Sequence, residues 1–372
     1  MILPGFLGPS ARSRAYTLDN ERTVNLYPEL REKGNPKSGM ALLPVPCCVA
    51  TYSLPAGPIR DIYSQDGECW AVAGTAFCEL FANGAYIVRG TVAADAYPAT
   101  ISSNGQNGHQ LFITSGGLGY IYDLITKDIE QITDDGFPYP VASGGFVASS
   151  FVVLQRSTNK FYFSALNNGL VWSGLDVAQT SLTADDKIGM TINHGEVWLW
   201  GTQRSEIWVP QVGGSSAFAP IPGTIIESGT IAGFSPSRLD NTIYLLGGDE
   251  RGANIAYRMN GYTPERVSTH AIETYLNSLP GGTSGALSWT YQEEGHAFYV
   301  LQVPNADTTL VYDVATDLWH QRALWDTDLI RDVPDYGRCH TFVWGRHLVG
   351  DQYSGTVFVQ RLDASQDVEV AA

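Results

Sequence analysis

The sequence predicts an all-β fold and, within that class, a single β-propeller of about seven blades, with six blades as the alternative count. Three observations lead to this prediction. The 372-residue chain is rich in glycine (39) and in aromatic residues (11%) but low in charged residues (16%), which suits short buried strands joined by tight turns. Apolar strand cores recur along the chain, and a turn with a second strand follows most of them.

The strand cores recur seven times at similar spacing. They are centred on Trp70, Phe112, Val152, Trp198, Tyr244, Phe298 and Phe342, with successive gaps of 42, 40, 46, 46, 54 and 44 residues. Four-stranded propeller blades repeat about every 40 to 50 residues, so seven units fill the chain from about residue 56 to its end. Strands near the centre of a propeller pack on both faces, which explains their continuous apolar runs.

The segments between these strands carry turn signals. Asn83-Gly84 and Asn260-Gly261 favour positive φ angles and therefore tight hairpins. In the stretch "VYDVATDLWHQ", a strand containing Tyr312 leads into Asp313, with Thr316 and Trp319 following as in a kelch-type blade. Asp313 and Asp123 are both placed to accept a hydrogen bond from the backbone N–H two residues later.

Two segments depart from the strand pattern. Residues 1–55 lack the repeat and contain the polar stretch "ELREKGNPKSG", so we expect an N-terminal arm and linker there, with a ring-closing strand as one option. Residues 56–372 form the propeller in this division. Ser268 to Leu279 has the apolar spacing of a short helix capped by Ser268 or Thr269, which we expect on a connection between blades.

Charge and cysteine content limit the classes of function. The net charge is -16; residues 1–37 hold six basic and four acidic residues, which leaves 16 basic against 34 acidic residues in the rest. The acidic surface of the chain after residue 37 repels phosphate, which argues against tight binding of DNA. It permits DNA to slide past. Five cysteines, two of them adjacent, form no disulfide framework and indicate a reducing compartment. We expect no signal peptide and no membrane insertion.

Enzyme signatures are weak throughout. "SQDGECW" (Ser64 to Trp70) approaches the Asp box of sialidase-type propellers, but its glycine is one position early and no second copy exists. His340 and His347 beside Cys339 suggest a copper site, yet satisfied, half-buried histidines are the better interpretation, because copper needs three or four converging ligands. Trp198, Trp200 and Trp208 favour blade packing over stacking of a base or sugar. We therefore expect no catalytic, cofactor-binding or metal-binding residues.

Four segments carry a resemblance to a known family. They are "NERTVNLYPEL" (Asn20 to Leu30), "GMTINHGEVWLWGTQRSEIW" (Gly189 to Trp208), "ESGTIAGFSPSRLDNTIYLLGGDERG" (Glu227 to Gly252) and "YRMNGYTPERVSTHAIE" (Tyr257 to Glu273). In this order they resemble the packaged-DNA stabilisation proteins of short-tailed phages, also called tail hub or nozzle proteins, across roughly residues 20 to 355. These motifs are structural and not catalytic.

The resemblance implies a non-enzymatic virion protein of the tail that assembles in the host cytoplasm. It implies a homohexameric ring below the portal and adaptor, which continues and closes the DNA channel and stabilises the packaged DNA. Duplex DNA would pass through this channel without tight binding. The ring would anchor spikes or fibres, with a needle or plug as a further partner. Larger members carry an additional C-terminal β region, whereas this chain ends at Ala372, which puts the needle or plug site in question.

The residues proposed for interfaces follow from charge and position. They are Arg12, Arg14 and Arg22 for the arm, and Asp185 and Asp249 for loops on the propeller rim. Two alternatives to the tail hub remain open at this point. One is a kelch-like adapter that binds a protein partner on a propeller face, and the other is a glycosidase-type propeller enzyme.

Overall fold

A computed structural model describes residues 22–30, 40–180, 185–211, 217–249, 252–364 and 367, with the side chains of residues 249, 252 and 253 not described. Seven antiparallel sheets follow one another along the chain. In each sheet the strands follow one another outward in chain order from the innermost strand, except that the outermost strand of the last sheet comes from the N-terminal part of the chain. Contacts between the innermost strands of neighbouring sheets close them into a ring. The predicted all-β propeller is confirmed, with seven blades.

The blades contain the following strands in chain order. Blade 1 has β4 (Ile59–Gln65), β5 (Glu68–Ala73), β6 (Ala76–Leu80) and β7 (Tyr86–Thr91); blade 2 has β8 (Thr100–Ser103), β9 (Gln110–Ser115), β10 (Leu118–Asp123) and β11 (Ile129–Gln131); blade 3 has β12 (Val141–Val147), β13 (Ser150–Gln155), β14 (Lys160–Ala165) and β15 (Asn168–Gln179). Blade 4 has β16 (Lys187–Asn193), β17 (Glu196–Gly201), β18 (Ser205–Pro210) and β19 (Phe218–Pro220); blade 5 has β20 (Gly229–Thr230), β21 (Ser237–Leu239), β22 (Thr242–Asp249), β23 (Gly252–Asn260) and β24 (Thr263–Arg266). Blade 6 has β25 (Leu287–Glu293), β26 (His296–Gln302), β27 (Thr309–Asp313), β28 (Leu318–Asp326) and β29 (Arg331–Pro334); blade 7 has β30 (Gly337–Val343), β31 (Arg346–Asp351), β32 (Thr356–Arg361) and β3 (Cys47–Ser53). Outside the blades lie β1 (Leu26–Leu30), β2 (Met40–Pro44) and helix α1 (His270–Ser278).

The hydrophobic core is divided among the seven contacts between adjacent blades. In β5, for example, Trp70 and Val72 pack against blade 2, whereas Cys69 and Ala71 pack against blade 7. Alternate residues of one strand therefore enter two different clusters. This arrangement explains why the second strands read as unbroken apolar runs, since neither face of a blade meets solvent.

The predicted turn chemistry is confirmed at four positions. Gly84 and Gly261 have φ angles of 87° and 57°, a region that glycine occupies without steric cost. Asp123 accepts a hydrogen bond from Ile125 N at 2.7 Å, and Asp313 accepts one from Ala315 N at 3.0 Å. In the outer hairpins of blades 2 and 6, an aspartate side chain thus fixes the turn by accepting from the backbone N–H two residues later.

The ring closes by pairing distant parts of the chain. Strand β3 adds antiparallel to β32 as the outermost strand of blade 7, with Cys48 opposite Gln360 and Val49 opposite Val359. The other three strands of that blade come from residues 337–361. The two ends of the chain are therefore tied together within blade 7 by strand pairing and not by a covalent link.

The seventh strand core lies one strand away from where its spacing predicts. In blades 1 to 6 the predicted core residues lie in the strand that pairs with the innermost one, but Phe342 lies in β30, the innermost strand of blade 7, and its side chain is exposed. The buried second strand is β31, with Leu348 and Val349 in the core. The preceding blade contains the additional strand β29, which lengthens the repeat.

The predicted short helix is also confirmed. Helix α1 connects blade 5 to blade 6 and begins after Thr269, whose side chain accepts a hydrogen bond from Ile272 N at 3.3 Å. Ile272 and Leu276 are buried in the cluster between these two blades. None of the described helices has the length and hydrophobicity that crossing a membrane requires.

Candidate functional site

The central channel is lined by the innermost strands of all seven blades. It contains a cavity of about 460 Å³. A duplex roughly 20 Å across occupies on the order of 1,000 Å³ per base pair. This cavity is therefore smaller than the space that one base pair of duplex DNA requires.

β-bulges mark the start of four innermost strands. The register shifts between Ile59 and Asp61, Val141 and Ser143, Lys187 and Gly189, and Gly337 and Cys339. Each bulge leaves one residue out of the pairing and changes the direction of its side chain. The bulged residues Arg60, Ile188 and Arg338 line the cavities at the centre of the ring.

Charged groups in this region are held by the backbone. Arg60 is buried; its guanidinium forms an ion pair with Asp95 at 2.9 Å and donates to the carbonyl oxygen of Tyr97 at 2.8 Å. Asp61 accepts from Ile101 N and Ile62 N, both at 2.9 Å. Burial raises the pKa of Asp61 to about 7, against the opposing effect of these two hydrogen bonds.

The N-terminal segment docks on the outer edge of blade 6. Val24 forms a parallel bridge with Gln321 of β28, and the backbone of Thr23 and Asn25 exchanges hydrogen bonds with Gln321. The Asn25 side chain bonds both backbone groups of Ala323: its Nδ2 donates to the carbonyl at 2.8 Å and its Oδ1 accepts from the N–H at 3.0 Å. We refer to residues 22–30 as the N-terminal clamp.

A histidine connects the clamp to the interior of blade 6. His296 Nε2 lies 2.5 Å from Glu29 Oε2, and its Nδ1 lies 2.8 Å from Asp313 Oδ2. Burial opposes a charge on His296, but the hydrogen bonds to Asp313 and Glu29 outweigh it and raise the pKa of the imidazole. Tyr27 of the clamp packs edge-on against His296 and Phe298 within the cluster between blades 6 and 7.

An apolar hairpin projects beside the start of the clamp. Trp325 lies in β28, and Leu329 and Ile330 lie in the turn between β28 and β29; their side chains are 61%, 56% and 75% exposed. Arg22 reaches this hairpin through an ion pair with Asp332 at 2.8 Å. Ile330 has a φ angle of 51°, an outlier for a β-branched residue. We refer to residues 325–332 as the rim hairpin.

The five residues proposed for interfaces have different positions. Arg12 and Arg14 lie outside the described residues. Arg22 is held by Asp332 and Gln321 of its own chain. Asp185 accepts hydrogen bonds from Thr202 Oγ1, Gln203 N and Arg204 N at 2.7 to 3.0 Å, and so fixes a loop of blade 4. The backbone of Asp249 ends β22 opposite Gly252 in blade 5. These positions lie on three blades, and an interface role for them stays a prediction.

Two groups that suggest chemistry in the sequence take part in packing instead: a half-buried histidine pair and three buried tryptophans. His340 Nε2 lies 2.9 Å from His347 Nδ1, and burial lowers the pKa of His340 to about 3, so this pair is neutral. Among the residues described, no three His, Cys, Asp or Glu side chains converge on a position for a metal ion. Trp198, Trp200 and Trp208 are buried, as predicted for blade packing.

Sequence inspection missed most of the residues that anchor the clamp. Glu29, Asn25, Tyr27 and His296 lie in or near quoted motifs, but their partners are roughly 270 to 300 residues away. The N-terminal region drew attention through its positive charge, its lack of the repeat and the motif from Asn20 to Leu30, none of which indicates these partners. The bulges at the channel have no recognisable signal in a single sequence.

The fold and these surfaces define a seven-bladed β-propeller closed by hydrogen bonds, with an N-terminal segment anchored on its flank. A comparison with curated protein sequences finds no match. A family model does match: Phage_stabilise, described as "Bacteriophage P22 Gp10, beta-propeller", covers residues 9–365. The chain belongs to this family of phage β-propeller structural proteins.

Solved structures share the fold at low sequence identity. Streptogramin B lyase is 12% identical with a TM-score of 0.50, covering 92% of this chain and 99% of that one. Virginiamycin B lyase from Staphylococcus aureus is 11% identical with a TM-score of 0.51, covering 82% and 95%. The extracellular domain of the BT4673 system of B. thetaiotaomicron is 10% identical with a TM-score of 0.51, covering 88% of this chain but 43% of that one. At these identities the likeness concerns the propeller fold alone.

Proposed function

We propose that this protein is a tail hub or nozzle subunit of a short-tailed phage, without catalytic activity. The observation that carries the proposal is the family match, which extends over nearly the whole propeller and the N-terminal clamp. In this proposal, six copies form a ring below the portal and adaptor. The ring continues the DNA channel, retains the packaged genome and carries spikes or fibres on its flank.

The geometry supports a DNA path between subunits. The cavity in the channel of one propeller, about 460 Å³, is smaller than the volume that a single base pair of duplex occupies, on the order of 1,000 Å³. A ring of copies would instead enclose the duplex between the outer surfaces of its propellers. With 34 acidic against 16 basic residues after residue 37, those surfaces repel the phosphates and permit sliding.

The rim hairpin and the clamp support the proposed assembly surface. Trp325, Leu329 and Ile330 form an exposed apolar group at the tip of a hairpin, and the clamp begins beside them at Arg22. Clustered exposed apolar side chains are a feature of protein contact surfaces. We propose that the rim hairpin contacts a neighbouring copy, and that the basic residues Arg12 and Arg14 reach an adjacent ring.

Electron microscopy of tails isolated from virions would test the proposal. The expected result is six copies in one ring, coaxial with a portal-adaptor ring, with the rim hairpin within contact distance of the next copy. The purified subunit alone does not decide the question, because ring formation can require docking. Finding the protein in virions as isolated copies away from the tail axis would contradict the proposal.

A further inference from the structure

A second cavity lies at one end of the central channel. It has a volume of about 670 Å³ and shares Pro98, Gly233, Phe234, Leu287 and Arg338 with the channel cavity, so the two spaces are continuous. We call it the funnel pocket. This volume lies within the range of pockets that hold small ligands, roughly 300 to 1,000 Å³.

The funnel pocket owes its shape to a break in the innermost strand of blade 5. Strands β20 and β21 both pair with β22, and residues 231–236 loop out between them. Gly233 permits this loop to approach blade 4 closely, since a Cβ atom there would lie 2.0 Å from the carbonyl oxygen of Ile188. The loop and the adjoining blades supply apolar walls that include Tyr97, Ile188 and Phe234.

Two polar groups in these walls lack partners. The side chain of Arg338 is half-buried, its Nε atom is buried without a hydrogen bond, and no ion pair to its guanidinium is found among the described residues. Gln302 is 3% exposed; its Nε2 donates to the carbonyl oxygen of Asp335 at 3.1 Å, but its Oε1 is buried and unbonded. No acidic residue is among the described residues lining the funnel pocket.

Arg60 is the equivalent residue of blade 1, and it has the hydrogen-bond partners that Arg338 lacks. Both arginines occupy the bulge of an innermost strand, in blades 1 and 7. Arg60 bonds Asp95, Ser115 and several carbonyl oxygens. A buried N–H donor, the Nε of Arg338, and a buried acceptor, Oε1 of Gln302, that both lack partners are costly unless a ligand satisfies them.

We propose that the funnel pocket binds an apolar carboxylate that carries an adjacent N–H group. The guanidinium of Arg338 pairs with the carboxylate, Gln302 Oε1 accepts from the N–H, and the walls enclose an aromatic or branched side chain. An N-acyl amino acid and the C-terminal residue of a polypeptide share this chemistry. This inference does not depend on the proposed tail function.

Calorimetric titration of the full chain tests the proposal with three small probes. They are N-acetylphenylalanine, its neutral C-terminal amide, and O-acetylphenyllactate, which keeps the carboxylate but lacks the N–H. We expect the first to bind at least about tenfold more tightly than either of the others, in line with the strength of charge-assisted hydrogen bonds. Equal affinities, or no binding at millimolar concentration, would overturn the proposal.

Two variants and a control connect the affinities to the residues. Arg338→Gln should remove the advantage of the acid over the amide, and Gln302→Leu should remove the advantage of the N–H over the ester. Arg238→Gln changes an exposed arginine beside the channel and should leave both preferences intact. Thermal melting shows which variants are folded. If Arg338→Gln fails to fold, Gln302→Leu and the probe series still decide the question. If Arg338→Gln folds and keeps the preference for the acid over the amide, the proposal is rejected.

A longer probe distinguishes the two sources of the ligand. The peptide acetyl-Ala-Ala-Ala-Phe with a free carboxylate should bind at least as tightly as N-acetylphenylalanine if the funnel pocket receives a protein C-terminus. If the peptide binds at least tenfold more weakly, the ligand is a small N-acyl amino acid. Either result must depend on Arg338, or the site is not the one proposed.

Discussion

Glu29 and His296 are joined by a contact of 2.5 Å that connects the N-terminal clamp to blade 6 across more than 260 residues of sequence. Since Asp313 lies on the other imidazole nitrogen, His296 can donate to both carboxylates only when it is protonated. The charge on one buried side chain thus determines whether both hydrogen bonds exist.

Docking of the clamp should weaken as the pH rises. The hydrogen bonds raise the folded-state pKa of His296, so their contribution is fully present below the ordinary histidine pKa of about 6.5 and is lost as the pH rises through the raised value. Hydrogen exchange of residues 22–30, corrected for intrinsic rates, should be faster at pH 8.5 than at pH 6. His296→Gln should abolish this difference, whereas His270→Gln, at an exposed histidine, should not. Equal protection at both pH values in the wild-type chain would contradict the assignment.

The Asn25 side chain should contribute measurable stability. Asn25→Ala removes both hydrogen bonds to Ala323 and places alanine at a φ angle of 56°. Asn305→Ala is a matched control, because Asn305 is exposed and has a φ angle of 63°, so it introduces similar backbone strain alone. We expect Asn25→Ala to lower the free energy of unfolding by about 1 to 3 kcal/mol more than the control does. Urea denaturation measures this difference, and equal losses would show that the side-chain bonds contribute nothing.

Ile330 should favour assembly at a cost to the isolated subunit. Asparagine tolerates a positive φ angle better than a β-branched residue, so Ile330→Asn should raise the free energy of unfolding by on the order of 1 kcal/mol. The same change removes an apolar contact from the rim hairpin and should reduce incorporation into tails in a complementation assay. Leu175→Asn is the control: Leu175 is 91% exposed on blade 3 and should be replaceable without effect on assembly. Incorporation of Ile330→Asn at the wild-type level would exclude this residue from the interface.

Replacing Asp61 should remove a pH dependence from the free energy of unfolding. Burial raises the pKa of Asp61 to about 7, so the wild-type chain loses stability as the pH rises from the ordinary carboxyl value of about 4 towards 7, by at most about 1.4 kcal/mol per pH unit. Asp61→Asn removes this titration, and its stability relative to wild type should therefore increase between pH 5 and pH 8. Chemical denaturation at both pH values provides the measurement. A constant difference would show that Asp61 titrates normally.

The subunit should bind duplex DNA weakly even at low salt. Its net charge of -16 repels the backbone, and no release of counterions compensates. Fluorescence anisotropy with a labelled 30-base-pair duplex at 50 mM salt should show no saturation at micromolar protein. Submicromolar binding that weakens steeply with added salt would contradict free sliding along an acidic wall.

The sequence predicted what local chemistry decides. The spacing of buried strands indicated seven blades, Asp123 and Asp313 identified their turns, and Thr269 was among the predicted caps of helix α1. The spacing placed the seventh strand core at Phe342, one strand too early. Spacing alone does not reveal that blade 6 contains the additional strand β29. The partners of Asn25 and Glu29, and the bulge at Arg338, depend on contacts between distant segments or on backbone register, which a single sequence does not encode locally.

Closure of the ring through β3 and β32 has a consequence for folding. Cys48 leaves the ribosome roughly 310 residues before Gln360, yet the two lie opposite each other in blade 7. Contacts so distant in sequence form late, because the loop between them must lose its conformational freedom first. A nascent chain therefore keeps an open sheet edge until synthesis reaches the last blade. A chain that stops before β32 cannot pair β3 and therefore cannot close the propeller. Only chains synthesised through β32 would then present a closed propeller to a partner.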